Sequence, residues 1–268
     1  MPRASRHYIP GHVWHITHRC HKKEFLLKFA RDRRRYLRWL FEARKRYGLS
    51  VLNYMVTSNH IHILLRDHGD RDVIPRSIQL IAGRTGQEFN QRKGRKGAYW
   101  EDRYHATAVE TNEHLVKCLV YIDLNMVRAG VVRHPSEWAF SGYNEIQAPR
   151  ERYALIDYAA LKDLLDFRSM NDLAKAYRGW VEESVQGASC FRDGKWTESV
   201  AVGSEEFVTA TKEALGFRAK GREVVGGNGR FELKESPTAY RGILALENAV
   251  LSPQNQYLWE DMQSFSTS

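Results

Sequence analysis

The alternation of apolar and polar residues predicts four short strands in the first half of the chain. Segments 11–20, 50–56 and 60–66 are rich in β-branched and aromatic residues, and a fourth segment ends at Val109. The second and third segments are separated only by the turn residues 57–59, so they are expected to pair as an antiparallel hairpin.

Three longer segments repeat their apolar residues with the period of a helix. The first spans 23–47 and stops before Gly48, the second runs from about 75 to 90, and the third runs from a Thr111 cap to about 129. We expect the apolar positions to form buried stripes. They include Leu26, Phe29, Tyr36, Leu37 and Leu40 in the first helix, Ile78, Ile81 and Phe89 in the second, and Leu115, Cys118, Leu119, Ile122 and Met126 in the third.

The order of these elements predicts an α+β fold. Strand, helix, strand, strand, helix, strand and helix follow one another, as in a ferredoxin-like or split-βαβ sandwich with a four-stranded antiparallel sheet and helices on one face. The pattern loosens after Trp138. We therefore expect one domain in residues 1–149 and a mixed, mainly helical C-terminal extension in residues 150–268. The extension contains helices at 159–166 and 171–185, a helix capped by Ser204 and a hairpin tip at 225–231.

The charge is concentrated in the first half. The net charge is +9, and residues 1–149 hold 26 Lys and Arg against 14 Asp and Glu, whereas residues 150–268 hold 15 against 18. A basic surface of this kind fits a phosphate-rich partner such as nucleic acid. A plain protein of high isoelectric point, with arginines that only face solvent, explains the composition equally well.

Neither a membrane segment nor an export signal is evident in the sequence. We find no apolar run of about 18 residues and no charged-then-apolar pattern at the start, so we expect a cytoplasmic protein without membrane contact. Cys20, Cys118 and Cys190 are far apart and in no metal-binding pattern, so a disulfide framework is not expected.

Two histidines provide the first chemical signal. His60 and His62 flank one aliphatic residue in a predicted strand, so both imidazoles point to the same sheet face and could share a metal ion. Such a pair can also be structural. His12, His15, His18 and His21 recur every third residue. On a strand that spacing alternates faces, so these four are expected to be surface or core histidines and not a metal site.

The third helix supplies polar residues beside its buried stripe. Tyr121 and Asn125 are one turn apart, so they project together. If this helix packs across the sheet, the Asn125 amide oxygen could join the histidines around Mg²⁺ or Mn²⁺, with Tyr121 beside the metal. That set would suit phosphoryl transfer by a tyrosine nucleophile, with Lys117 helping to favour the phenolate. A single tyrosine at a helix edge is otherwise a packing residue.

Four motifs together resemble a known family. The sequence Asn59-His60-Ile61-His62, the run from Tyr121 to Gly130, and segments 100–104 and 138–141 are similar to those of the HUH single-tyrosine transposases. The resemblance covers about residues 7–145. It is strongest to the REP-associated tyrosine transposases within the IS200-like superfamily. Many members have Pro where this chain has Met126, a position that is not a ligand.

The resemblance implies a function and a site. Tyr121 would be the nucleophile, and His60, His62 and Asn125 would bind a divalent Mg or Mn ion. The substrate would be single-stranded, often hairpin-containing DNA, cleaved to a 5′-phosphotyrosine and a free 3′-OH by a monomer or a homodimer. The alternatives are a regulator that binds hairpin DNA or RNA without cutting it, and, less well supported, a structural zinc protein. The basic residues expected to contact DNA are Arg34, Arg38, Lys93, Arg95, Lys96, Arg103, Lys117 and Arg128.

Overall fold

One mixed β-sheet organises the protein. The computed structural model describes residues 8–187, 193–227 and 229–235, and in this part of the chain the sheet has seven strands in the order β2-β3-β1-β4-β5-β7-β6. The strands are β1 (Val13–Arg19), β2 (Ser50–Val56), β3 (His60–Arg66), β4 (His105–Val109), β5 (Ala201–Gly203), β6 (Arg222–Gly227) and β7 (Arg230–Glu235).

The first four strands have the predicted ferredoxin-like arrangement. β1 lies between β3 and β4 and is antiparallel to both, while β2 pairs with the outer edge of β3. The α+β fold class is therefore confirmed. The sheet has three more strands than predicted. β5 pairs in parallel with β4, and β7 of the β6–β7 hairpin pairs with the other edge of β5. A three-residue strand such as β5 is too short to show an alternating pattern in the sequence.

Nine α-helices surround the sheet in the described residues. They are α1 (Ala30–Tyr47), α2 (Val73–Lys93), α3 (Glu113–Asp123), α4 (Asn125–Arg128), α5 (Gly142–Gln147), α6 (Tyr158–Leu164), α7 (Met170–Gln186), α8 (Lys195–Glu198) and α9 (Glu205–Leu215). Thus the helices predicted at 159–166 and 171–185 are confirmed as α6 and α7. Ser204 caps α9 by accepting a hydrogen bond from the Phe207 amide.

The first helix is shorter than predicted. α1 begins at Ala30, and Lys22 and Lys23 adopt positive φ, which a continuous right-handed helix does not allow. The Leu27 amide donates to the Ser58 carbonyl at 2.9 Å, which holds the segment before α1 against the β2–β3 turn. Leu26 is buried as expected, but Phe29 is 57% exposed. The helix ends at Gly48 in the left-handed conformation, as predicted.

Several of the basic residues on α1 have structural partners. Arg33 is buried, lies 4.6 Å from the ring centres of both Trp138 and Phe140, and donates to the Leu27 carbonyl. Arg35 forms an ion pair with Glu88 of α2. These arginines therefore fix helix α1 in place and are not available as a continuous phosphate-binding stripe.

Helices pack on both faces of the sheet, not on one face as the sequence pattern predicted. On one face, Trp100 stacks on His18 of β1, contacts Tyr36 of α1 and donates to the Ala82 carbonyl of α2. On the opposite face, α3 and α4 approach His62 of β3. The histidine face is therefore the face covered by the third predicted helix.

That third predicted helix is two consecutive helices. α3 ends at Asp123 and α4 begins at Asn125, with Leu124 at the junction, and Gly130 follows in a left-handed conformation. The helix starts after Asn112, which has positive φ, so the predicted Thr111 cap is wrong. The predicted apolar stripe is confirmed, since its five members are all buried: Leu115, Cys118, Leu119, Ile122 and Met126.

The segment after residue 150 contacts strand β2 and helix α3. The Asp157 amide donates to the Val51 carbonyl of β2, and the Tyr177 hydroxyl donates to buried Asp123 of α3. Cys20 and Cys118 are buried free thiols, while Cys190 and residues 236–268 lie outside the described residues. In the described part of the chain, no helix is both long and apolar enough to cross a membrane.

Candidate active site

The two histidines of β3 lie at the end of the central sheet. The β1–β3 register places His60 opposite Arg19 and His62 opposite Thr17, so both imidazoles occupy one face. Their ring centres are 5.0 Å apart. Ile61 and Ile63 point to the other face and are buried in the core. The strand pattern thus positions the pair as the sequence predicted.

The junction of α3 and α4 brings two further residues over this pair. Asn125 Nδ2 is 3.0 Å from His62 Nε2, and the Tyr121 ring centre is 6.1 Å from that of His62. The Tyr121 ring also lies near the rings of His15 and Trp196, at 6.3 and 6.0 Å. All four residues proposed from the sequence are therefore neighbours within a single chain.

The environment of His60 determines which ring nitrogen carries the proton. His60 Nδ1 is 2.7 Å from Asn59 Oδ1 and 3.0 Å from Thr57 Oγ1, whose hydroxyl donates to the His60 carbonyl. The amide oxygen and this hydroxyl both act as acceptors, so Nδ1 carries the proton and Nε2 keeps its lone pair. Such hydrogen bonds are the usual means of orienting a metal-binding histidine.

The donor set fits an open divalent metal site. His60 and His62 could supply two imidazole nitrogens. Asn125 now directs its amide nitrogen at His62, in keeping with the hydrogen bond between them, and a rotation of the amide would bring its oxygen to the same place. Mixed nitrogen and oxygen ligands with open positions suit a Lewis-acidic metal. In the described residues, no group of three or more His, Cys, Asp or Glu side chains is arranged to hold a metal ion, so the amide is an essential part of the set.

A cleft opens in front of these residues. Its volume is about 770 Å³. Thr197 of α8 reaches the cleft from the C-terminal part of the chain. Besides the four residues above, the lining includes Arg19, Lys23, Asn59, Arg103, His105 and Arg128. The cleft therefore combines the candidate ligands, the tyrosine and several cations on one open surface.

Arg128 is the cation in contact with Tyr121. Its guanidinium carbon is 4.2 Å from the Tyr121 ring centre, and its Nη2 donates to the Tyr121 carbonyl at 2.6 Å. Lys117 was expected to act on the phenol, but its Nζ forms an ion pair with Glu113 Oε2 at 2.9 Å, and Lys117 is not among the residues that line the cleft.

The remaining basic candidates lie outside the cleft lining. Arg34 and Arg38 are exposed on α1, which packs on the other face of the sheet. Lys93 and Lys96 are exposed at the end of α2, and Arg95 forms an ion pair with Glu24. Of the eight basic residues, the structure brings only Arg103 and Arg128 to the candidate site.

Burial keeps His15 and His62 neutral. Desolvation lowers the pKa of His62 well below its usual value, and the neighbouring His60, His15 and Arg128 lower it further. Burial also lowers the pKa of His15 to about 3. A neutral imidazole is the form that binds metal ions, so the electrostatic environment favours that role.

Two residues at the site, His15 and Trp196, were missed by the sequence reasoning. His15 of β1 is 2.9 Å from His62, between His15 Nε2 and His62 Nδ1, and its other nitrogen is 2.8 Å from the Trp196 carbonyl oxygen. His15 appeared only as one of four regularly spaced histidines. Its contact with His62 depends on the pairing of two strands 47 residues apart in sequence, which local periodicity does not specify.

Comparisons with known proteins give one family match and two similar solved structures. Residues 9–125 match the family model described as "Transposase IS200 like". A solved REP-associated tyrosine transposase bound to a REP hairpin is 20% identical over 56% of this chain and 87% of its own, with a TM-score of 0.47. A protein from Deinococcus radiodurans, assigned as a transposase, is 17% identical over 41% of this chain and 87% of its own, with a TM-score of 0.31. Comparison with curated proteins gives no match.

The matched segment contains β1–β4 and α1–α3 and ends at the candidate ligand Asn125. It therefore covers both histidines, the tyrosine and the asparagine. Over residues 9–125, which are less than half of the chain, the protein is similar to the IS200-like transposases.

Proposed function

We propose that the protein is a metal-dependent enzyme that nicks single-stranded DNA and rejoins it through a 5′-phosphotyrosine at Tyr121. One observation carries this proposal: α3 and α4 place Tyr121 and Asn125 over His60 and His62 at the wall of one cleft. A packing tyrosine would need no such neighbours. Because one chain supplies all four residues, the site requires no second copy.

In the proposed covalent step, the phosphate is transferred from the DNA 3′ oxygen to the Tyr121 oxygen. The Tyr121 oxygen attacks the scissile phosphorus, the bond from phosphorus to the 3′ oxygen breaks, and the phosphate becomes a tyrosine ester. The proton lost by the phenol balances the proton gained by the leaving 3′ oxygen. Attack by a 3′-OH on the ester reverses the step, so strands can be joined without ATP.

His60, His62 and Asn125 would hold Mg²⁺ or Mn²⁺ beside the scissile phosphate. Such an ion supplies Lewis-acid stabilisation of the charge that develops on the phosphate oxygens. Asn59 and Thr57 keep His60 Nε2 directed toward the cleft, and Asn125 must rotate its amide so that Oδ1 replaces Nδ2 beside His62.

The DNA partner follows from the cleft and from the family resemblance. We propose a hairpin-containing, REP-like single strand whose scissile phosphate lies between Arg103 and Arg128, both in the cleft lining. Arg34, Arg38, Lys93, Arg95 and Lys96 lie outside the lining, so we assign them to flanking backbone contacts, which add affinity without sequence specificity.

The decisive experiment follows the fate of the phosphate. The full-length protein is incubated with hairpin DNA that carries a label either 5′ or 3′ of the cleavage point, with Mn²⁺ or with EDTA. We expect a denaturant-resistant adduct that contains only the label 3′ of the nick, and no adduct with EDTA. Cleavage without an adduct would indicate a water nucleophile and would contradict the proposal.

A second candidate function is hairpin binding without cleavage, which the basic N-terminal half would also support. The same experiment separates the two functions. If the protein shifts hairpin DNA in a gel but forms no adduct and no cleaved strand on any hairpin from its own genomic locus, binding is the function.

Replacing Arg128 tests the cation at the tyrosine. We expect Arg128→Met to lower the rate of adduct formation by about 10- to 100-fold, because a charge against the phenol and the phosphate is lost. Arg128→Lys keeps the charge but loses the planar contact with the ring, so an intermediate rate is expected. Rates are measured in single turnover. A wild-type rate in Arg128→Met would show that this contact only packs the helix junction.

A further inference from the structure

A chain of three hydrogen-bonding groups continues from His62 into the sheet. His62 Nδ1 is 2.9 Å from His15 Nε2, and His15 Nδ1 is 2.8 Å from the Trp196 carbonyl oxygen. His15 is fully buried and His62 is 2% exposed, so water does not compete for these contacts. The two imidazole planes differ by only 14°.

The carbonyl at one end fixes every proton in this chain. A carbonyl oxygen can only accept, so His15 must carry its proton on Nδ1. A neutral His15 then has a lone pair on Nε2, and His62 must donate to it from Nδ1. This leaves His62 Nε2 unprotonated, directed at Asn125.

We propose that His15 and the Trp196 carbonyl position His62, by holding it in the tautomer whose Nε2 lone pair faces the cleft. The inference deepens the proposed function, because this nitrogen is the one that would bind the divalent ion. His15 is a positioning residue and does not touch the DNA or the metal. Hydrogen bonds of this type set the orientation and the affinity of histidine ligands.

The arrangement also gives the C-terminal part of the chain a role at the site. The segment around α8 is fixed to β4, where Thr107 Oγ1 donates to the Ser199 carbonyl at 2.7 Å and His105 Nε2 is 3.0 Å from the same oxygen. The Trp196 side chain is 3% exposed and faces Tyr121. The extension thus holds the carbonyl that determines the state of a residue in the matched family domain.

The tautomer can be measured in the metal-free protein. In the full-length chain labelled with ¹⁵N-histidine, long-range nitrogen–proton NMR spectra distinguish protonated from unprotonated ring nitrogens. We expect His62 to be protonated at Nδ1 in the wild type. In His15→Phe the acceptor is lost, and we expect a mixture of tautomers or the Nε2-protonated form. A wild-type His62 protonated at Nε2 would overturn the inference.

Metal affinity gives a second measurement. We expect His15→Phe to weaken Mn²⁺ binding, measured by calorimetry, by about 10- to 100-fold. His15→Gln can accept from His62 and donate to Trp196, so we expect it to bind within a few-fold of the wild type. His114→Gln replaces another buried histidine, whose neighbours are Glu110 and Glu113, and is expected to leave affinity unchanged.

The outcomes separate this inference from the proposed function. If the wild type binds no Mn²⁺, the metal-dependent function fails, while the NMR measurement still decides the role of His15. If the wild type binds Mn²⁺ and His15→Phe binds equally well with an unchanged His62 tautomer, only the inference is overturned. If His15→Phe does not fold, the tautomer of His62 in the wild type still decides the inference. If folded His15→Gln loses as much Mn²⁺ affinity as a variant that lacks one of the metal ligands, the positioning role is contradicted.

Discussion

Replacing Tyr121 with Phe is expected to abolish the covalent protein–DNA adduct and to lower strand cleavage by about 10³-fold or more. The change removes only the phenolic oxygen. Phenylalanine keeps the ring contacts with His15, His62, Trp196 and the Arg128 guanidinium. We therefore expect the thermal midpoint and the affinity for hairpin DNA to stay close to those of the wild type. The adduct is measured on denaturing gels and cleavage in single turnover.

Tyr143→Phe is the matched control for this substitution. Tyr143 is also buried, but its ring packs on His134 and Tyr177 and does not line the cleft. It should form the adduct at the wild-type rate. An adduct that persists in Tyr121→Phe would assign the nucleophile to another residue, and peptide mapping of the adduct would then identify it.

The local parts of the site were predictable from the sequence. A period of two places His60 and His62 on one strand face, and a helical turn places Tyr121 beside Asn125. Each pair is set by neighbours in the chain. The meeting of the two pairs depends on which face of the sheet receives α3, and periodicity does not specify that choice. Resemblance to a family supplied the expectation, and the structure brings the four residues together.

The non-local parts were not predictable in the same way. Strand geometry alone argues against a metal array at His12, His15, His18 and His21. The contact of His15 with His62 could not be predicted in this way, because it depends on the register of β1 against β3. The extension of the sheet by β5 depends on pairing with β4. A division into a domain of residues 1–149 and an extension of residues 150–268 stays a prediction, although the two segments share one sheet.

A buried carboxylate joins these two segments, and its removal is expected to cause a large loss of stability. Glu145 Oε1 accepts hydrogen bonds from the Leu155 and Ile156 amides at 2.6 and 2.8 Å, and Oε2 accepts from the Tyr54 hydroxyl at 3.0 Å. Glu145 is 1% exposed. It therefore ties residues 155–156 of the extension to strand β2 and helix α5.

We expect Glu145→Ala to lower the free energy of unfolding by about 3–5 kcal/mol, because three buried donors lose their acceptor and a cavity forms. Glu145→Gln keeps an amide oxygen for the two backbone amides, so a loss of about 1 kcal/mol is expected. Exposed Glu151→Ala should change stability by less than about 0.5 kcal/mol. Urea unfolding followed by tryptophan fluorescence measures all three. If Glu145→Ala unfolds like Glu151→Ala, the carboxylate does not stabilise this junction, and this part of the extension is held to the sheet by the backbone bond from Asp157 to Val51 and by apolar packing alone.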